Sequence, residues 1–228
     1  MLITIDNLLT ADELAASRDL LERAHWRSGL ETAGIQAAVT KNNQQLSEGA
    51  EQLPALRQIV LNALTRNPLF FTAALPLKIL PPLFNRYGDL TNSYGFHTDN
   101  AMQRIAQQPG HYLRADLSAT LFLSDPEQYD GGVLTIEDTF GNHGFKLEAG
   151  SLLLYPSSSI HAVSAVTRGE RLACFLFIQS MVRDPGQRRL LYEMDMALLT
   201  LRSEMGESDA VVRLTGLYHN LLRRWAES

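Results

Sequence analysis

Three side chains in this sequence have the types and spacing to hold a divalent metal, and a fourth can hold an anion beside it. His97-Thr98-Asp99 sets an imidazole and a carboxylate two residues apart. In an extended strand residues i and i+2 project to the same side, so one ion can touch both. That spacing alone is weak, because a solvated polar turn reads the same way. His161 adds a third donor. It follows a strand-like run, Ser151-Leu152-Leu153-Leu154-Tyr155, and a short loop, Pro156-Ser157-Ser158-Ser159-Ile160. Two histidines and one carboxylate suit ferrous iron, because three protein ligands on one face leave further positions open. Arg171 begins the next apolar run, Leu172-Ala173-Cys174-Phe175-Leu176-Phe177-Ile178. Its planar fork can grip a carboxylate in a bidentate pair. A structural salt bridge to a neighbour such as Glu170 is the competing use.

The ordered set His97, Asp99, His161, Arg171 resembles the Fe(II)- and 2-oxoglutarate-dependent dioxygenases of the prolyl/lysyl hydroxylase type. Asn85-Arg86-Tyr87 with Tyr94-Gly95-Phe96-His97-Thr98-Asp99-Asn100 carries the likeness, as does Leu121-Phe122-Leu123-Ser124 with Tyr129-Asp130-Gly131-Gly132-Val133-Leu134. Closer still is the bacterial PKHD-type hydroxylase group, linked by genomic context to iron uptake. The segments Pro81-Pro82-Leu83-Phe84-Asn85-Arg86-Tyr87, Leu154-Tyr155-Pro156-Ser157-Ser158-Ser159 and Tyr218-His219-Asn220-Leu221-Leu222-Arg223-Arg224-Trp225 are similar to that group, nearly end to end.

The resemblance implies an enzyme that hydroxylates a C–H bond while 2-oxoglutarate is decarboxylated to succinate and CO2. It implies His97, Asp99 and His161 as ligands to Fe(II), Arg171 on the distal carboxylate of 2-oxoglutarate, O2 as the other cosubstrate, and L-ascorbate (vitamin C) as reductant. A carboxylate at position 99 favours hydroxylation, because related halogenases carry a small residue there. Many relatives have a serine two residues after the arginine, where this chain has Ala173. Another hydroxyl must then make the second cosubstrate contact. Tyr87 is the first candidate and Thr120 the second, with a core tyrosine the competing reading of Tyr87. Asn100 and Tyr94 border the site by adjacency. The substrate class implied is peptidyl or siderophore-like. The rival reading is a non-catalytic metal-binding jelly roll, an iron sensor or cupin-like protein, that gains no affinity for 2-oxoglutarate.

The net charge is −5 and no basic stripe appears, which argues against a nucleic-acid partner. Arg188-Arg189 and Arg223-Arg224 read as solvated helix faces. The one cysteine, Cys174, sits mid-strand among apolar neighbours and reads as a buried small hydrophobe. Nothing requires an oxidising compartment. The opening residues read as a strand rather than a signal peptide, and no apolar stretch is long enough to cross a bilayer. A cytoplasmic protein is expected.

The elements that must position these residues divide into three parts. Residues 1–77 read as a helical flank, with a strand at Met1–Ile5. A helix capped by Thr10-Ala11-Asp12-Glu13 follows, and a second runs from Gln52 to Arg66 and ends at Asn67-Pro68. Lys41-Asn42-Asn43-Gln44-Gln45 reads as an exposed loop or as a substrate-side lip. Residues 78–180 carry short strands at regular intervals: Leu83–Tyr87, Ala115–Leu123, Val133–Glu137, Gly144–Leu147, Ser151–Tyr155, Ala162–Val166 and Arg171–Gln179. With no helices between them they predict a jelly roll, the double-stranded β-helix of cupin-like proteins. Ala101 to Arg114 reads as a long lid-like loop that holds His111, and His143 as a turn residue. Residues 181–228 predict two amphipathic helices, one from Asp184-Pro185 to about Met205. The other carries Leu214, Leu217, Tyr218, Leu221, Leu222 and Trp225 on one face. They can cover the barrel or form a homo-oligomer surface. The fold expected is mainly β with helices at both ends.

Overall fold

The computed structural model describes residues 1–32, 39–105 and 110–227. Two antiparallel sheets face each other across a core. The major sheet has eight strands: β1 (Ile3–Ile5), β2 (Trp26–Ser28), β4 (Gln44–Leu46), β5 (Pro76–Ile79), β6 (Leu83–Tyr87), β10 (Leu117–Phe122), β13 (Leu152–Pro156) and β15 (Arg171–Ser180). Its order is β1-β13-β10-β15-β6-β4-β2, with β5 paired to β15. The minor sheet has five: β3 (Lys41–Asn42), β7 (Ser93–His97), β11 (Leu134–Asp138), β12 (Gly141–Phe145) and β14 (His161–Val163), in the order β12-β11-β14-β7-β3. From β6 onward the chain passes between the sheets at nearly every connection, the winding of a jelly roll.

Strand parity explains where the core sits, because alternate side chains face opposite sides of a sheet. In β15 the even positions Cys174, Leu176 and Ile178 join Leu117, Ala119 and Leu121 of β10 in the core on the outer face of the major sheet. Three helices cover that face: α1 (Ala11–Glu22), α2 (Leu53–Arg66) and α3 (Pro68–Ala74). Leu56, Val60 and Ala63 of α2 are fully buried against it. The odd positions Arg171, Ala173, Phe175 and Phe177 face the other sheet. A second core, with Tyr87, Phe122, Leu134, Leu153, Tyr155 and Val163, fills one end of that interior. Every residue of β10 is buried, with Leu117, Ala119 and Leu121 in the outer core and the hydroxyls of Ser118 and Thr120 on the cavity side.

Several elements differ from the reading of the sequence. The segment 1–77 supplies strands to both sheets as well as helices. Asn67 ends α2 and also caps α3, its side chain accepting from the Phe70 amide at 2.9 Å. Lys41–Gln45 is not an exposed loop: β3 pairs with β7, β4 pairs with β6, and Lys41, Asn43 and Gln45 are buried. In the stretch read as a lid-like loop, β8 (Met102–Arg104) pairs antiparallel with β9 (Tyr112–Arg114), and the part of it at 106–109 lies outside the described residues. His143 lies in β12, paired with Ile136, and is exposed. His111 and His219 are exposed as well.

The C-terminal helices α4 (Pro185–Met205) and α5 (Asp209–Trp225) form a satellite core with Leu75 and Val182. Val211 and Tyr218 turn into it, whereas Leu214 and Leu217 are exposed, so the buried stripe of α5 is narrower than its apolar face. Arg188 is no solvated residue. It is buried, and its Nη1 donates to the Val182 carbonyl at 2.8 Å. Cys174 is buried, and that burial pushes its thiol pKa up. No helix among the described residues is long and apolar enough to cross a membrane.

Candidate metal and anion site

His97 ends β7 and His161 begins β14, and the two are direct partners across the antiparallel pair. Their ring centroids are 4.2 Å apart. Asp99 lies just beyond β7 and returns its carboxylate to the histidines, Oδ2 standing 3.8 Å from His161 Nε2. Ligand atoms of His97, Asp99 and His161 all fall within 4.8 Å of one another, the only such group among the described residues.

The histidine tautomers follow from the backbone. Nδ1 of His97 lies 2.8 Å from the Gly95 carbonyl, and Nδ1 of His161 lies 3.0 Å from the Ser159 carbonyl. A carbonyl only accepts, so both Nδ1 atoms carry the hydrogen and both Nε2 atoms keep a lone pair. That is the arrangement a metal-binding imidazole needs. Burial, then the neighbouring His161, lowers the His97 pKa to about 4, which keeps the ring neutral near pH 7. Asp99 is oriented by Ser118 of β10, whose hydroxyl donates at 2.6 Å and lies 2.8 Å from the Ser157 hydroxyl. Burial raises the Asp99 pKa, the direction a nearby cation would reverse. Tyr94 stacks on His97 with centroids 3.6 Å apart, and Tyr155 meets His161 edge-on. These features fit a divalent ion.

Arg171 lies deeper and is 1 % exposed. Its Nε and Nη2 are buried without a hydrogen-bond partner. The salt bridge to Glu170 does not form, since Glu170 turns to Arg86 at 3.5 Å. Around the guanidinium stand rings: Tyr87 at 5.3 Å and Phe122 at 5.2 Å. A buried charge without a counter-charge costs several kcal/mol, on the order of 3–5 when one partner of a buried pair is missing. A guanidinium in that state has two donor atoms that suit an anion. Tyr87 is the direct partner of Arg171 on the neighbouring strand, and Asn85 Nδ2 approaches its hydroxyl at 3.5 Å. Gly132 explains the Gly-Gly turn. Its φ is +62°, and a Cβ there would meet Tyr129 Cε2 at 2.7 Å and Arg171 Cδ at 3.0 Å. Only glycine lets Tyr129 and Arg171 pack together at that point.

One cavity of about 700 Å³ contains all five sequence-derived residues, His97, Asp99, His161, Arg171 and Tyr87. Thr120, Tyr94 and Asn100 also line it. The sequence reading missed Ser118 and the inward row Lys41, Asn43 and Gln45. The row's only signal is a run of five polar residues, 41–45, which reads as an exposed loop or a substrate-side lip, with no alternation to mark the inward three. Ser118 had none, because its relation to Asp99 exists only through the fold.

A family model described as the PKHD-type hydroxylase C-terminal domain matches residues 185–227. A PKHD-type hydroxylase of Nitrosomonas europaea is 66% identical over 228 residues, covering 100% of both chains. One from Stenotrophomonas maltophilia is 54% identical, again over 100% of both. Among solved structures, a Trichoplax adhaerens prolyl hydroxylase, in complex with a peptide fragment of hypoxia inducible factor, matches with a TM-score of 0.54. That match has 14% identity and covers 83% of this chain and 86% of that one. HygX from Streptomyces hygroscopicus, with nickel, 2-oxoglutarate and hygromycin B bound, matches at 0.50 with 14% identity, over 78% and 83%. These likenesses establish the fold.

Proposed function

The chain belongs to the PKHD-type hydroxylase family, and from that membership we propose that it holds Fe(II) on His97, Asp99 and His161 and 2-oxoglutarate on Arg171 and Tyr87, to hydroxylate a C–H bond of an organic substrate. The observation that carries the reading is a His-Asp-His cluster in the same cavity as a buried arginine with unpartnered donors. A bare metal-binding jelly roll has no need of that arginine.

When bound, ferrous iron with 2-oxoglutarate and O2 supplies the oxidising power for the hydroxylation, while succinate and CO2 leave. The chain's own residues do the rest. The two Nε2 lone pairs and the Asp99 carboxylate would hold the ion, and Ser118 fixes the carboxylate. Arg171 receives the distal carboxylate in a bidentate pair, and the Tyr87 hydroxyl gives the second contact that Ala173 cannot. The stacked Tyr94 and the edge-on Tyr155 keep the imidazoles from rotating. The buried walls exclude water, which strengthens each charge interaction inside. In this reading residues 78–180 form the catalytic unit, supported by 1–77 and 181–228. Ascorbate as reductant, a cytoplasmic location and a role near iron uptake belong to the same reading.

The test is succinate formation with Fe(II), O2 and 2-oxoglutarate, paired with an anaerobic absorbance titration of the Fe(II) protein by 2-oxoglutarate. Asp99→Ala should lose bound iron and turnover. Arg171→Met should keep iron but weaken 2-oxoglutarate binding by roughly thirty-fold or more, the loss expected for removing one half of a buried charge pair. Unchanged cosubstrate affinity in the Arg171 variant would remove its assigned role.

A further inference from the structure

Ala173 brings no hydroxyl to the cavity, and its direct partner on the neighbouring strand is Asn85. Asn85 is 8 % exposed and lines the cavity. It stands two residues before Tyr87 in β6, so the two side chains face the same side of the sheet. Its Nδ2 faces the Tyr87 hydroxyl at 3.5 Å, and its Oδ1 is buried without a hydrogen-bond partner. An apolar side chain would fill the position without leaving a buried oxygen unpaired, which costs stability.

The chemistry of these groups decides what the Tyr87 hydroxyl can do. A phenol hydroxyl has one hydrogen to give and lone pairs to receive. The amide nitrogen of Asn85 only donates, so it meets a lone pair of the Tyr87 oxygen. Arg171, the partner of Tyr87 on the next strand, also offers donors alone. Burial raises the Tyr87 pKa, and the Arg171 charge and then the Asn43 amide lower it, the sign that a cation and a donor impose. A hydroxyl whose oxygen is met by donors keeps its hydrogen for an acceptor, and an anion on the Arg171 fork is such an acceptor.

Resting on the hydroxylase reading, we infer that Asn85 is a positioning residue for cosubstrate selection. It donates to the Tyr87 oxygen and so turns the Tyr87 hydrogen toward the distal carboxylate on Arg171. The contact that Ala173 cannot make is thus built from a pair of side chains on β6. Asn85 acts on the anion only through Tyr87, and the pair selects a 2-oxo dicarboxylate over a 2-oxo acid with an apolar end.

The probes are 2-oxoglutarate and 2-oxopentanoate, which has a methyl group where 2-oxoglutarate has its distal carboxylate. Each is titrated calorimetrically into the full chain loaded with Mn(II). The wild type should bind 2-oxoglutarate far more tightly. Asn85→Leu should weaken 2-oxoglutarate about ten-fold, the loss of one charge-assisted hydrogen bond, and leave 2-oxopentanoate unchanged. Asn85→Ala should do the same with no added bulk. Tyr87→Phe should lose a similar factor, and adding Asn85→Leu to it should lose nothing more. Equal losses for both probes would make Asn85 a packing residue and overturn the inference. Losses that multiply in the double variant overturn it too, because Asn85 would then touch the anion itself. So does unchanged or tighter 2-oxoglutarate binding in the Asn85 variants; tighter binding would mean that the Asn85 oxygen had been holding the Tyr87 hydrogen. A wild type that binds the two probes equally strikes the hydroxylase reading and the inference together, whereas each of the other adverse results leaves that reading standing.

Discussion

The Ser118 hydroxyl touches no candidate ligand site directly except through Asp99, yet it decides how that carboxylate points. Partners of this kind typically contribute 10–100-fold to metal affinity. Ser118→Ala should therefore weaken Mn(II) or Fe(II) binding by about that factor, measured by competition with a chelator, while the fold stays intact. Ser118→Thr, which keeps the hydroxyl, should recover most of the loss. Arg171 makes the same point for the anion end. Its guanidinium lies near the Tyr87 and Phe122 rings, and its Nε and Nη2 have no hydrogen-bond partner. A lysine there keeps the charge but not the fork, so Arg171→Lys should bind 2-oxoglutarate more weakly than wild type and more tightly than Arg171→Met.

At the scale of elements, α1 and α2 are fastened over the major sheet by one ion pair as well as by apolar packing. Thr10 and Glu13 form a capping box at the start of α1. The same Glu13 carboxylate meets both Nη atoms of Arg66 at the end of α2. Arg66 beside it, with the Thr10 amide, lowers the Glu13 pKa to about 2. A carboxyl depressed in the folded state stabilises above its unfolded value, and the contribution is lost as pH falls toward the folded one. Urea unfolding from near pH 5 down to pH 2 should show a wild-type advantage over Arg66→Met that shrinks across that window. A constant gap would mean that Arg66 acts through packing alone. The β8–β9 strand pair is the other informative element. It carries Arg104 and Tyr112 to the cavity mouth in a stretch that composition alone presents as a loop.

At the scale of the molecule, the two sheets and their helices make one frame around a cavity with the His97–Asp99–His161 cluster at one point and the buried Arg171 at another. Ligands that bind only the folded state stabilise it, by about 2.7 kcal/mol at a hundred-fold excess over Kd. For a chain of this size that corresponds to a rise in Tm of roughly 5–10 °C. Mn(II) with 2-oxoglutarate should produce such a shift in the wild type, and Asp99→Ala should abolish it. A shift of equal size in that variant would place the bound metal elsewhere.

Much of the architecture is legible from local chemistry. Thr10 with Glu13 announces α1, Asp184-Pro185 announces α4, and the spaced apolar runs announce a two-sheet barrel, because caps and side-chain period are properties of neighbouring residues. The ordered His97, Asp99, His161 and Arg171 are legible for the same reason: their types limit the chemistry, and their strands limit their direction. What the chain could not announce depends on register between distant strands. His97 opposite His161, Tyr87 opposite Arg171, Ser118 under Asp99 and Lys41 beside Tyr94 each require two segments to pair at one register and no other. That pairing is set by the burial of whole sheet faces, so only the folded molecule fixes which polar groups meet inside the cavity and which turn outward to solvent.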